Sequence, residues 1–350
     1  MTDNTRQARL GLAAALVAGV VFAMPASADE IADFYKGKTI TVLSGFGAGG
    51  MYGIYTAVIN KHMPRHIPGN PTMIGQFMPG AGGVKAANFF HSAAPKDGSM
   101  IGMLSQAIAL TQMLKAGTNV RYDAGKMHWL GSIDGVTNIL SVWNGSTKVR
   151  TMEDLQKEEV IVGVTGKGSI GYMNMALTKS VLGAQLKIVA GYNNLPMIDK
   201  AFETGELQGR AATWISIKTR KQEWMEPGVV TQVVQFALKK HPDLPNVPLA
   251  QELATNDADK RILEFAASPS TVGRALSLPP GTPAARVAAL RKAFTDTMKD
   301  PEFLKEAHER KLPILWSTGE EVAAVIERTV ATPPELVNRV KDIVASGGVK

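Results

Sequence analysis

Thr39-Ile40-Thr41-Val42-Leu43-Ser44, followed at once by Gly45-Phe46-Gly47-Ala48-Gly49-Gly50, decides how this chain is read. A β-branched apolar run broken by glycine predicts a strand, and residues 51–62 beyond the glycines carry a helical pattern. Strand, glycine loop and helix together begin an α/β fold. Taken literally, Gly45, Gly47 and Gly50 form a GxGxxG loop of the dinucleotide-binding kind. Such a site needs an acidic residue about 20 positions later to hold the ribose. None is present: from Phe34 through Lys96 there is no Asp or Glu, while Lys36, Lys38, Lys61, Arg65, Lys85 and Lys96 all fall there. What survives is the physics under the motif. Glycines let backbone N–H groups approach a ligand, and the helix behind them presents its positive end, so the expected guest is an anion.

Pro79-Gly80-Ala81-Gly82-Gly83 repeats the device between a strand expected at 71–76 and a helix at 83–92. A third loop, Thr165-Gly166-Lys167-Gly168-Ser169, lies between a strand at 160–165 and a helix at 169–182. It mimics a phosphate loop but has Ile161 where that motif needs glycine. Ser169 reads equally as an anion contact and as an ordinary helix cap.

Outward from these loops the alternation continues. Strands are expected at 100–105, 138–143, 187–190, 207–214 and 229–237. A capping box, Thr151-Met152-Glu153-Asp154, starts a short helix, and a helix over 195–204 stops at Gly205. Pro242, Pro245 and Pro248 mark a linker, after which four helices are expected at 283–298, 301–310, 319–329 and 334–344. The simplest arrangement is two α/β lobes joined by a hinge: residues 29–133 with 245–350 in the first lobe and 134–244 in the second.

The chain has 350 residues, 45% of them hydrophobic and 20% charged, and no cysteine. That excludes disulfide scaffolds, cysteine-ligated metals and thiol nucleophiles. The formal charge of +7 is not gathered into runs, so nucleic acid is not an expected partner. Arg6 and Arg9, the apolar stretch from Leu10 to Phe22, and Ala26-Ser27-Ala28 read as a signal peptide over 1–28. Its removal leaves 322 residues and a charge of +6. A soluble periplasmic protein, monomeric and without cofactor, is expected.

Taken in order, Tyr35-Lys36-Gly37-Lys38-Thr39-Ile40-Thr41-Val42, Gly47-Ala48-Gly49-Gly50, Pro79 to Gly83, Ala94-Pro95-Lys96-Asp97-Gly98, the third glycine loop, Gly191-Tyr192-Asn193-Asn194 and Leu278-Pro279-Pro280-Gly281-Thr282-Pro283 resemble the substrate-binding receptors of tripartite tricarboxylate transporters, the Bug-type periplasmic proteins. The likeness spans nearly all of the chain after the signal peptide. It implies a two-lobed, type II-like periplasmic-binding fold, each lobe a sheet flanked by helices, closing on a small organic carboxylate. It implies no catalysis, and delivery of the ligand to membrane permease subunits. A sensory co-receptor for a membrane kinase uses the same cleft, and an exported hydrolase is a third reading that no motif supports. By that resemblance, loops Phe46 to Tyr52 (with Met51) and Pro79 to Gly83 pinch the carboxylate, and Gly166 to Ser169 faces the rest of the ligand. Gln106, Asn193 and the aromatic residues Tyr52, Tyr172, Tyr192 and Trp214 complete the candidate set. The chain departs from the family pattern at Gly53 and Gly209, where relatives often carry Asp.

His62 and His66 have the spacing of a metal pair, but Pro64 lies between them and no acidic residue is near in sequence. They read as surface residues near a helix end. Of the aromatic residues, including Trp129, Trp143 and Trp224, roughly half are expected in the core.

Overall fold

The computed structural model describes residues 28–80, 83–114, 119–164, 166–167, 169–192 and 195–348. The expected signal peptide, save its last residue, and the candidates Ala81, Gly82, Gly168 and Asn193 lie outside the described residues. Among the described residues eleven strands form: β1 (Thr39–Ser44), β2 (Thr72–Phe77), β3 (Met100–Met103), β4 (His128–Ser132), β5 (Asn138–Trp143), β6 (Val160–Val164), β7 (Leu186–Ala190), β8 (Gly209–Thr213), β9 (Val230–Phe236), β10 (Ala275–Leu278) and β11 (Ser317–Thr318). They build two sheets, one ordered β11-β4-β10-β3-β1-β2 and the other β7-β6-β8-β5-β9.

β1 pairs in parallel with β2 and β3, and helices Met51–His62 and Val84–Ser92 make the crossovers. In the second sheet β6 is parallel to β7 and β8, while β5 runs antiparallel to β8 and β9. The glycine loops therefore follow the carboxyl ends of β1, β2 and β6, where ligands of open α/β sheets bind.

Three strands of the first sheet, β4, β10 and the two-residue β11, are absent from the sequence reading. β10 is a four-residue run, Ala275-Leu276-Ser277-Leu278, buried throughout and lying between β3 and β4. A short apolar run in a helix-rich stretch has no periodicity to declare it. β4 is interrupted by Gly131, where an added Cβ would stand 2.0 Å from the Phe294 ring. The expected strand at 100–105 ends at Met103.

Helices cover both faces of the first sheet. Tyr55, Ile59, Leu290 and Phe294 share one cluster, and Phe90, Trp129, Val322 and Ile326 share another. Packing does not follow the expected lobe division throughout. Helix Asp257–Ala267 and the last helix, Pro334–Ser346, send Ile262, Phe265, Val337, Val340 and Ile343 into the cluster with Tyr172, Met173 and Val162 of the second sheet. Their apolar stripes face the uncovered side of helix Ile170–Val181, and the last helix lies against that helix.

The chain crosses between the sheets at residues 133–137 and returns ahead of β10. The crossings are stitched together: the Val136 N–H donates to the Ser270 carbonyl (2.8 Å), the Gly135 N–H to Leu315 (3.2 Å), and the Leu238 N–H to Ser270 Oγ (3.1 Å).

Candidate functional site

The first two loops converge because glycine lets them. A Cβ on Gly45 would stand 3.2 Å from the Gly83 Cα, and one on Gly83 would stand 3.1 Å from the Ser105 Cβ. Gly83 also has φ +96°, a conformation open to glycine. The ends of β1, β2 and β3 are thus in contact. Helices Met51–His62 and Val84–Ser92 begin at Gly50 and Gly83, and neither start has a side-chain cap. The N–H groups of a helical first turn have no partner inside the helix, and Gly47, Ala48, Gly49 and Gly50 are exposed beside them. Pro79 and Gly80 are exposed as well, with the stem of Lys85 lying against Gly80.

Beneath the loop, the Phe46 and Tyr52 rings stack at 4.3 Å. The Tyr52 hydroxyl accepts from the Gln106 N–H (3.0 Å) and donates to the Gly273 carbonyl (3.5 Å). Tyr52 is therefore a clasp between loops, and burial raises its pKa against the pull of that N–H and of Arg274. The backbone of Gln106 is used by this clasp; its side chain makes no hydrogen bond among the described residues.

Arg274 is a component the sequence reading missed. It sits where the chain returns to β10, its guanidinium 5.9 Å from the Tyr52 ring centre and 5.0 Å from that of Tyr55. It donates to Asp134 Oδ2 at 2.5 Å, and the Tyr55 hydroxyl donates to the same oxygen at 3.3 Å. Asp134 lies on the outgoing crossing, so this buried pair ties the two crossings together. Burial lifts the Asp134 carboxyl to about 7 although Arg274 and Tyr55 pull it down. Asp134 Oδ1 and Arg274 Nε are buried without partners. No local motif announces the pair, because its members are 140 residues apart.

The departures at Gly53 and Gly209 have a steric reason. A Cβ on Gly53 would meet the Ala48 carbonyl oxygen at 1.9 Å: the loop backbone occupies that space. On Gly209 it would meet Val162 Cγ2 at 2.6 Å and Val160 Cγ1 at 2.9 Å, inside the second sheet.

The second lobe contributes less than the sequence suggests. Ser169 is a helix cap: its Oγ accepts from the Tyr172 N–H (3.1 Å) and donates to the Gly166 carbonyl (2.7 Å). Lys167 is exposed and Gly166 half-buried. Tyr172 and Trp214, expected to face the cleft, are buried in cores. Tyr172 packs in the cluster that includes the last helix, and the Trp214 indole N–H donates to Asp243 (2.9 Å). An aromatic ring just past a strand end looks the same in sequence whether it turns toward a cleft or into a core. Tyr192 is half-buried at the end of β7 and donates to Glu206 (3.0 Å).

His62 is also a correction. It is buried, with its Nε2 2.8 Å from Glu306, and His66 Nε2 lies 2.8 Å from Asp300. Lys61 and Arg65 join the same two carboxylates. This network anchors helix Met51–His62 at the end away from the glycine loop. Among the described residues no group of three or more His, Asp or Glu is placed to hold a metal, and no helix is long and apolar enough to cross a membrane.

No protein-family model matches the chain, and no curated protein sequence matches it. Solved structures do. A TctC solute-binding protein from Polaromonas is similar over 87% of this chain and 99% of its own, with a TM-score of 0.67 at 15% identity. A Rhodopseudomonas palustris protein solved with adipate has a TM-score of 0.60 at 18% identity, over 87% of this chain and 97% of its own. MatC from the same organism, with bound malate, has 0.55 at 19% identity, over 88% and 99%. The chain has the two-sheet α/β fold of these solved structures, as the resemblance implied.

Proposed function

We propose that the chain is a periplasmic receptor of the tripartite tricarboxylate type, which captures a small organic carboxylate and delivers it to membrane permease subunits. One observation carries the reading. Two helix starts without side-chain caps meet at the ends of adjacent parallel strands, in a segment without a single Asp or Glu from Phe34 through Lys96. The carboxylate takes the N–H groups at Gly47 to Tyr52 and those at the start of helix Val84–Ser92. Such charge-assisted bonds are worth about 1.5–3 kcal/mol each, so three or four of them, less ordering costs, suit a dissociation constant of about 1 μM. Tyr52 and Phe46 form the floor, and Gly166, Lys167 and Tyr192 bound the far side. Adipate and malate, with which two of the similar proteins were solved, support keeping dicarboxylates beside monocarboxylates, aliphatic or aromatic, among the candidates. The chemistry asked of the protein is binding alone.

A thermal-shift screen against mono-, di- and tricarboxylates tests this. A hundredfold excess over the dissociation constant stabilises by about 2.7 kcal/mol. At least one carboxylate should raise the melting temperature, its amide should not, and Gly50→Asp should erase the shift. Silence across the panel, or a shift retained in Gly50→Asp, would sink the site.

A further inference from the structure

A large cavity lies away from the glycine loops. About 920 Å³ in volume, it lies at the crossings between the sheets. Its walls come from Gly135 and Thr137 on the outgoing crossing, the segment after β9, and the chain leading into β11. β9 and β11 are edge strands of their sheets, whereas the glycine loops follow β1, β2 and β6 on the other side of β5, β10 and β4. The crossings therefore separate this rear cavity from the front loops. None of the front candidates lines it.

Its chemistry is that of a ligand site. Leu315, Trp316 and Phe265 supply apolar wall, and Leu315 remains 38% exposed. Lys239, Arg261 and Arg328 also line it, and among the described residues none of the three has an ion-pair partner. Lys240 is paired with Glu252, outside the lining. Of the two lining carboxylates, Glu321 accepts from the Thr318 N–H and Glu264 is not within ion-pair reach of the cations. Three free cations around an apolar wall, in a volume within the roughly 300–1,000 Å³ of small-molecule pockets, are matched by one class of guest. We propose that the rear cavity is a second binding site, for a small organic anion with an apolar body. This goes beyond carboxylate capture at the front and stands or falls separately from it. Because the walls belong to both sides of the crossings, an occupant also resists any movement of the lobes that narrows the cavity.

Octanoate is a suitable probe, with octanol as its neutral match. Calorimetric titration of the protein should show octanoate binding that persists in Gly50→Asp and quenches or shifts Trp316 emission, a signal lost in Trp316→Phe. Removing two charge-assisted contacts in Arg261→Ser/Arg328→Ser should weaken octanoate about tenfold or more. Both arginines are exposed, so the variant should melt as the wild type does. Octanol should bind at least about tenfold more weakly than octanoate. No octanoate binding to the wild type, or equal affinity in the double-arginine variant, would overturn the proposal. Loss confined to Gly50→Asp would do the same, by placing octanoate at the front. If carboxylates fail in the front-site screen while octanoate still binds at the arginines, only the front reading falls.

Discussion

Two strand-to-helix loops in this molecule look alike in sequence and differ in what they leave free. At Gly50 the helix start carries no side-chain cap, and the glycines before it are exposed. At Ser169 the hydroxyl is spent twice, on the Tyr172 N–H and the Gly166 carbonyl. A capped start has satisfied part of what an anion would satisfy; an uncapped one has not. On the proposed function, this difference puts the ligand's charge at the first lobe and its outline at the second. The far ends of the two helices differ as well. Helix Met51–His62 is anchored by Glu306, with Asp300 holding the turn that follows it, whereas Lys179 near the end of helix Ile170–Val181 reaches, among the described residues, the Leu186 carbonyl.

The comparison breaks most sharply at the crossings beneath the first loop. Arg274→Ala leaves the Asp134 carboxyl buried without its cation, which costs about 3–5 kcal/mol. Denaturant unfolding should show the loss, and a cost below about 1 kcal/mol would mean that the pair contributes nothing to the clasp. Next comes Gly53→Asp, which introduces the residue that the resemblance leads one to expect there. The Ala48 carbonyl leaves no room for it, so a destabilisation of about 3 kcal/mol is expected together with loss of carboxylate binding. A stable, binding-competent Gly53→Asp protein would show that the loop has a second conformation.

Acid should loosen the first-lobe helix ahead of the second. Glu306 is held at about 2 by hydrogen bonds from Lys61 and His62. Asp300 reaches about 2 because bonds from His66, the Glu302 N–H and Arg65 outweigh its burial. Both carboxyls are depressed, so their stabilisation is complete above an ordinary carboxylate pKa of about 4 and is lost as the pH falls through 2. Amide exchange between pH 5 and 2.5 should rise first in residues 51–66; simultaneous opening of 170–181 would contradict the difference. The smallest effect belongs to Ser169→Ala, about 1 kcal/mol of stability from a lost cap, with carboxylate affinity unchanged. An affinity loss of tenfold would return Ser169 to the ligand.

Much of the front site is legible without coordinates. β1, the glycines after it and the acid-free segment are local facts, written in residues that neighbour each other along the chain. The capping box at Thr151 and the stop at Gly205 are local too, and the structure has both, with Gly205 at φ +78°. β10 and β4 are not legible, because a four-residue buried run and a strand with a glycine under a phenyl ring carry no period. His62 and His66 read as surface residues because their carboxylates arrive from 244 and 234 residues away.

By itself, then, the sequence determined the α/β class and the placing of three glycine loops at strand ends, and it supplies the ground for proposing an anion as the guest of the first two. Each depends on backbone conformation and charge within about 20 residues. Only the tertiary structure decided that Ser169 is spent as a cap, that Tyr172 and Trp214 turn inward, and that Gly53 is fixed by the Ala48 carbonyl. It alone joined Asp134 to Arg274 and, among the described residues, left three cations without an ion-pair partner around a rear cavity. Side-chain direction and long-range pairing are set by how the sheets and helices pack, and residues distant in the chain acquire their chemistry only when the fold brings them together.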